Sequence, residues 1–176
     1  MMKKRILFAS IMLCAAFVVV FSDGNNKFHD DLSGYNIVPT LSTGASGEFS
    51  ARISKDETQI SYELRYSGLN GTATQAHIHL GRPATVGGVI TFLCTNLGNG
   101  PAGTPPCPPS SGTVTGTLTA SSVIGPVAQG IAPGEFAELV RAIRAGATYA
   151  DVASTNLPAG EIRANIDSVK GQKNEE

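Results

Sequence analysis

The side chains best suited to chemistry are His77 and His79, which stand two residues apart in Q-A-H-I-H-L-G at residues 75–81. Imidazole is the commonest side-chain metal ligand and the one group that ordinarily titrates near neutrality. On an extended strand side chains alternate between faces, so Gln75, His77 and His79 share one side while Ala76, Ile78 and Leu80 point the other way, toward a core. A strand presenting two imidazoles side by side is either part of a metal site or a polar packing motif.

Other reactive constellations are missing from the chain. There is no G-x-S-x-G nucleophile elbow, and Gly98, Gly100 and Gly103 lack the Lys-Ser/Thr of a phosphate-binding loop. Glu161 and Arg163 fall at i, i+2 on one strand face, which reads as charge pairing with neighbouring strands rather than acid–base catalysis. His29 stands alone in a polar stretch and reads as solvated. The paired acids Asp30-Asp31 and Asp56-Glu57 read the same way.

The elements that must position the histidines are mostly strands. Residues 59–66 alternate strictly, with Ile60, Tyr62, Leu64 and Tyr66 on one face and Ser61, Glu63 and Arg65 on the other, the pattern of a sheet with one buried side. Further strands are expected at 32–41, 48–53, 75–80, 86–94, 112–119, 148–153 and 161–167, with Pro39 confining the first to an edge. The strand over 59–66 and the histidine strand, separated by a short glycine-bounded turn, are expected to pair. Near the C-terminus, Ala150 and Val152 oppose Tyr149, Asp151 and Ala153, and Ile162, Ala164 and Ile166 oppose Glu161, Arg163 and Asn165. One segment breaks the pattern. Within residues 134–146, Phe136, Leu139, Val140 and Ile143 fall at i, i+3, i+4 and i+7, and acidic residues precede basic ones, as a short amphipathic helix requires. The expected fold is all-β: an antiparallel, Greek-key-like β-sandwich of seven to eight strands with one short amphipathic helix.

The chain has 176 residues, enough for one domain with a proper core. Lys3, Lys4 and Arg5 precede an apolar run at 6–21, the layout of a secretory signal; cleavage after Ser22 is expected, and a retained membrane anchor is the alternative. Cys14 follows Leu13 rather than a small residue, which discounts lipidation. Residues 23–31 read as a flexible leader, 32–167 as the folded domain and 168–176 as a disordered charged tail. Removing residues 1–22 takes three positive charges and no negative ones, leaving 10 basic and 14 acidic side chains, a net of −4. With no tryptophan and no basic patch, nucleic-acid binding is not expected. The two remaining cysteines, Cys94 and Cys107, are expected to form a disulfide in an exported protein. They enclose T-N-L-G-N-G-P-A-G-T-P-P, a run of turn formers with little means of ordering itself. Closing a loop of roughly 14 residues stabilises by about 3 kcal/mol in the chain-entropy model.

H-I-H-L-G at 77–81, A-G-A-T-Y-A-D-V at 145–152 and L-P-A-G-E-I-R at 157–163 occur in an order that resembles the CHRD domain, the module named after chordin and found in many exported bacterial proteins. The resemblance runs from about Leu32 to Ile166. It implies an extracellular or periplasmic β-sandwich without an established catalytic mechanism. Its strand arrangement is sometimes compared with that of copper/zinc superoxide dismutase, an analogy of fold that carries no activity. Family members have Y-V-N-V-H-T before the last motif. Here Tyr149 and Val152 match, but Asp151 replaces Asn, Ala153 replaces His and Ser154 replaces Thr; Ala164 also stands where Gly is favoured.

With Ala153 unable to ligate, His77 and His79 supply two metal ligands and Asp151 a candidate third. Two readings therefore stand side by side. The first is a non-catalytic exported binding or structural module, secreted or periplasmic, needing no cofactor. Its partner would be a protein or a cell-surface or extracellular polymer, with the 94–107 loop as candidate contact surface and a membrane involved only if the N-terminal segment is retained. In this reading the histidines hydrogen-bond to Asp151 or Glu161, and Tyr149, Glu161 and Arg163 form a structural polar face. The second is a copper or zinc protein, redox-active or metal-buffering, built on the histidine strand.

Overall fold

The structure is a computed structural model describing residues 26–166; the expected signal, the first residues of the leader and the charged tail lie outside that range. Eight strands are described: β1 Lys27–Ser33, β2 Ser46–Ile53, β3 Ile60–Ser67, β4 Ala73–Leu80, β5 Val89–Thr95, β6 Gly112–Leu118, β7 Thr148–Ser154 and β8 Ile162–Ile166, with one helix, α1 Phe136–Arg144. They form one antiparallel sheet in the order β5-β4-β7-β8-β1-β2-β3-β6. The sheet curls until its edge strands β5 and β6 approach each other, and the Tyr62 hydroxyl on β3, the strand beside β6, donates to the Leu93 carbonyl on β5 at 2.6 Å. The result is an all-β sandwich close to a barrel.

Period-2 alternation builds the core. Ile60, Tyr62, Leu64 and Tyr66 of β3 are all buried, as are Ala76 and Ile78 of β4 and Ile162, Ala164 and Ile166 of β8. The helical stripe of α1 (Phe136, Leu139, Val140 and Ile143) is buried in the same cluster. Its polar face carries the Arg141–Glu138 ion pair, and Arg144 reaches Glu57 at 2.8 Å.

Three expectations are corrected. The leader read at 23–31 contains most of β1, which pairs with β2 along its whole length and buries Phe28 and Leu32. Asp30 lies between those two on the inward side, so the apolar alternation is interrupted at its centre. After Ser33 the chain leaves the sheet through a single 3₁₀ turn at Gly34–Asn36, so residues 34–41 are not a strand. Lastly, β3 and β4 do not pair: β3 lies between β2 and β6, and β4 between β5 and β7. The connection between them is a crossover, with Leu69 buried and the Asn70 N–H donating to Glu161 Oε1 at 2.8 Å.

Cys94 and Cys107 are joined by a disulfide. The enclosed loop is more ordered than its composition suggests. Asn96 donates to the carbonyls of Ala73 and Cys107 and accepts from the Cys107 N–H at 3.0 Å. Thr95 donates from its hydroxyl to Asn99 at 2.7 Å.

Candidate functional site

The strand register brings the sequence candidates together. On the face of β4 away from the main core, His77 stands opposite Asp151 of β7, and His79 opposite Tyr149. Across β7, Asp151 is the register partner of Arg163 on β8. Ala153 faces Gln75, one non-adjacent pair further along, so the chain places a methyl group where the resemblance puts a third histidine.

These side chains form a continuous ladder. The Arg163 guanidinium lies 3.5 Å from the centre of the Tyr149 ring, and the Tyr149 ring stacks parallel on His79 at 4.7 Å. His79 meets His77 edge-on at 5.3 Å, and His77 meets Phe92 of β5 edge-on at 4.5 Å. Stacking a cation on a desolvated ring contributes up to about 2 kcal/mol. The four neighbouring strands β5, β4, β7 and β8 are thus linked across one face by a row of side chains as well as by their backbones. Arg163 is only 2 % exposed, and a buried guanidinium needs acceptors for its donors.

Those acceptors come from the loop at residues 81–88, which lies over the ladder. Arg163 Nη1 donates to the Thr85 carbonyl at 2.7 Å and Nη2 to the Arg82 carbonyl at 3.0 Å, while Nε donates to Asn165 Oδ1 at 3.2 Å. The Gly87 N–H donates to the Tyr149 hydroxyl at 3.2 Å, and His79 Nδ1 lies 2.9 Å from the Gly87 carbonyl. Only glycine fits at 87, because a Cβ there would fall 1.6 Å from the Leu80 carbonyl oxygen. Sequence reasoning missed Arg82, Thr85 and Gly87, since a backbone carbonyl leaves no trace in side-chain identity; the Gly87-Gly88 pair is the one visible signal.

Electrostatics centre on Asp151. Its Oδ1 lies 3.4 Å from His77 Nδ1 and 3.3 Å from His79 Nε2, all three groups being buried or nearly so. Burial works to raise the Asp151 pKa, but the two imidazoles outweigh it and hold the carboxyl down at about 2. Burial works to lower the His79 pKa; Asp151 and the Gly87 carbonyl outweigh it and raise the pKa above its ordinary value, against the opposing charge of Arg163. Burial likewise lowers Arg163 and raises Tyr149. Neither His79 Nε2 nor Asp151 Oδ1 has a hydrogen-bond partner of adequate geometry. One donor atom from each of His77, His79 and Asp151 lies within 4.8 Å of the other two, the spacing of a three-ligand metal site.

Glu161 is buried too, but it does not reach the histidines. Its Oε1 accepts from the Thr43 hydroxyl at 2.8 Å and from the Asn70 N–H, pinning the segment after β1 and the β3–β4 crossover to the start of β8. The polar face of Tyr149, Glu161 and Arg163 is therefore two separate tethers. His29 is exposed on β1, as expected for a solvated residue, with its Nδ1 2.9 Å from Ser50 Oγ.

Among known families, the CHRD domain matches residues 28–166 of the chain. No curated protein and no solved structure matches it.

Proposed function

The chain belongs to the CHRD-domain family, and from that premise we propose that it is an exported, non-catalytic binding or structural module working in the periplasm or outside the cell. The observation that carries this reading is where the ionisable cluster spends its bonds. Arg163, Tyr149 and His79 are engaged with the backbone of the 81–88 loop above them, and the face they occupy is buried. A reacting centre needs groups turned toward substrate; these are turned toward the protein's own chain. Export is supported by the Cys94–Cys107 disulfide, a bond that persists in oxidising compartments, and by the basic-then-apolar N-terminal sequence.

The partner in this reading is a protein or an extracellular or cell-surface polymer. The stapled loop between Cys94 and Cys107 is the proposed contact, because a loop over a rigid scaffold presents recognition groups at little ordering cost, and Leu97 stands 58 % exposed on it. The test is fractionation of cells expressing the full chain, followed by intact-mass analysis and co-sedimentation with purified envelope polymer. The reading expects an extracytoplasmic species starting near Asp23, two hydrogens lighter than its reduced form, whose sedimentation falls in Leu97→Ser. Cytoplasmic protein with free thiols, or sedimentation indifferent to Leu97, contradicts it.

One observation favours the second reading, a copper or zinc protein of redox or buffering function: the facing, unpartnered His79 Nε2 and Asp151 Oδ1. The face is closed by its own 81–88 loop, so this observation reaches to holding a metal and not to a redox step.

A further inference from the structure

We propose that His77, His79 and Asp151 hold one borderline divalent transition-metal ion of the zinc(II)/copper(II) class, as a structural staple between β4 and β7 beneath the 81–88 loop. The inference is independent of where the protein works and of what it contacts.

A carbonyl oxygen only accepts, so the 2.9 Å contact between His79 Nδ1 and the Gly87 oxygen requires the proton on Nδ1. In the neutral ring Nε2 then carries a lone pair, and that lone pair faces a carboxylate oxygen at 3.3 Å. Two buried acceptors 3.3 Å apart are costly unless a proton or a metal ion lies between them, and because the two atoms do not meet with hydrogen-bond geometry a proton is poorly placed there. The same Asp151 oxygen faces His77 Nδ1 at 3.4 Å.

The distances fit an ion. With metal–ligand bonds of about 2.0–2.1 Å, ligand atoms at tetrahedral positions stand about 3.4 Å apart. The two edges meeting at Asp151 Oδ1 have that length already. The nitrogen–nitrogen edge lies within reach, since one donor atom of each residue falls within 4.8 Å of the others.

The surroundings fit as well. A ligating histidine ordinarily donates its other N–H to a carbonyl or carboxylate, which fixes its tautomer and orientation. His79 does this through Gly87, and Tyr149 stacked on its face holds the ring plane. Two imidazoles and one carboxylate select zinc or copper over magnesium or calcium, which prefer all-oxygen shells.

The experiment uses the purified protein, stripped with chelator and shown to be folded by circular dichroism, then titrated calorimetrically with zinc(II) and with copper(II). One ion per chain is expected, with affinity at least about 100-fold weaker in Asp151→Asn and His79→Gln and unchanged in His29→Ala. No uptake by the folded wild type overturns the proposal, and so does uptake that survives both ligand substitutions or is lost in His29→Ala. If the ligand variants fail to fold, paramagnetic resonance of the copper(II) form of the wild type decides: coupling to two imidazole nitrogens supports the site, and coupling to fewer overturns it.

Discussion

Replacing Arg163 with Met should release the 81–88 loop and destabilise the domain by about 3 kcal/mol. The side chain is buried and donates to two loop carbonyls and to Asn165. Mutational data give about 1.5–3 kcal/mol for each hydrogen bond to a charged group, and the stack on Tyr149 adds up to about 2 kcal/mol. Against this, returning a guanidinium to water recovers several kcal/mol of desolvation, and Met keeps part of the aliphatic packing. The balance of about 3 kcal/mol corresponds to a fall in Tm of about 10 °C for a domain of this size. Arg163→Lys keeps the charge but cannot serve both carbonyls from a planar fork, so its loss should be intermediate. The assay is thermal unfolding by circular dichroism together with amide hydrogen exchange. The amides of Thr85, Gly87 and Gly88, each hydrogen-bonded in the loop, should lose protection in Arg163→Met more than the core strands do. Wild-type stability and unchanged loop protection in this variant would refute the idea that the ladder holds the loop.

Other predictions are more local. Alkaline pH should destabilise the fold through Tyr62 and Tyr66. Burial pushes both pKa values up to about 12, and each hydroxyl donates to a carbonyl at 2.6 Å. Their contribution is complete below about pH 10, where the unfolded phenols are still neutral, and is lost as pH rises toward 12 at about 2–3 kcal/mol each. Denaturant midpoints from pH 8 to pH 11.5 should show the fall, and Tyr62→Phe with Tyr66→Phe should flatten it. The double substitution Cys94→Ala, Cys107→Ala should cost about 3 kcal/mol by denaturant unfolding. Adding Asn96→Ala should cost more than the separate losses combined, because Asn96 holds the same loop closed. Gly87→Ala should displace the loop, since its Cβ has no room beside Leu80, and hydrogen exchange at Gly88 should rise with little change in the exchange of β3.

How much was legible in the sequence depends on where each interaction resides. Alternation over β3, β7 and β8 and the stripe of α1 announced themselves because a single buried face leaves a period in the residues. β1 did not, because Asp30 interrupts Phe28 and Leu32 among charged neighbours. The sequence around the β3–β4 connection suggests the wrong pairing for a different reason. Glycines mark a change of direction but do not say whether the chain turns back on itself or crosses the core, and Leu69 and Asn70 show that it crosses. At the site, His77, His79, Tyr149, Asp151 and Arg163 could be placed on their strand faces from parity alone. Which of them touch is a matter of register, and the partners of Arg163 are carbonyl groups common to every residue type. Glu161 shares Arg163's parity, yet it serves the crossover instead, a distinction that only the packing of Thr43 and Asn70 decides.

The most direct test of the account is the protonation state of His79, read by long-range nitrogen–proton correlation NMR on uniformly ¹⁵N-labelled protein. The loop clamp requires a proton on Nδ1 that exchanges slowly with solvent, held by the Gly87 carbonyl. Such a resonance, weakened or lost in Arg163→Met as the loop loosens, is the result the account predicts. An imidazole protonated only on Nε2, or an Nδ1 proton in free exchange, would mean that His79 does not bind the loop and that the ladder has been misassigned.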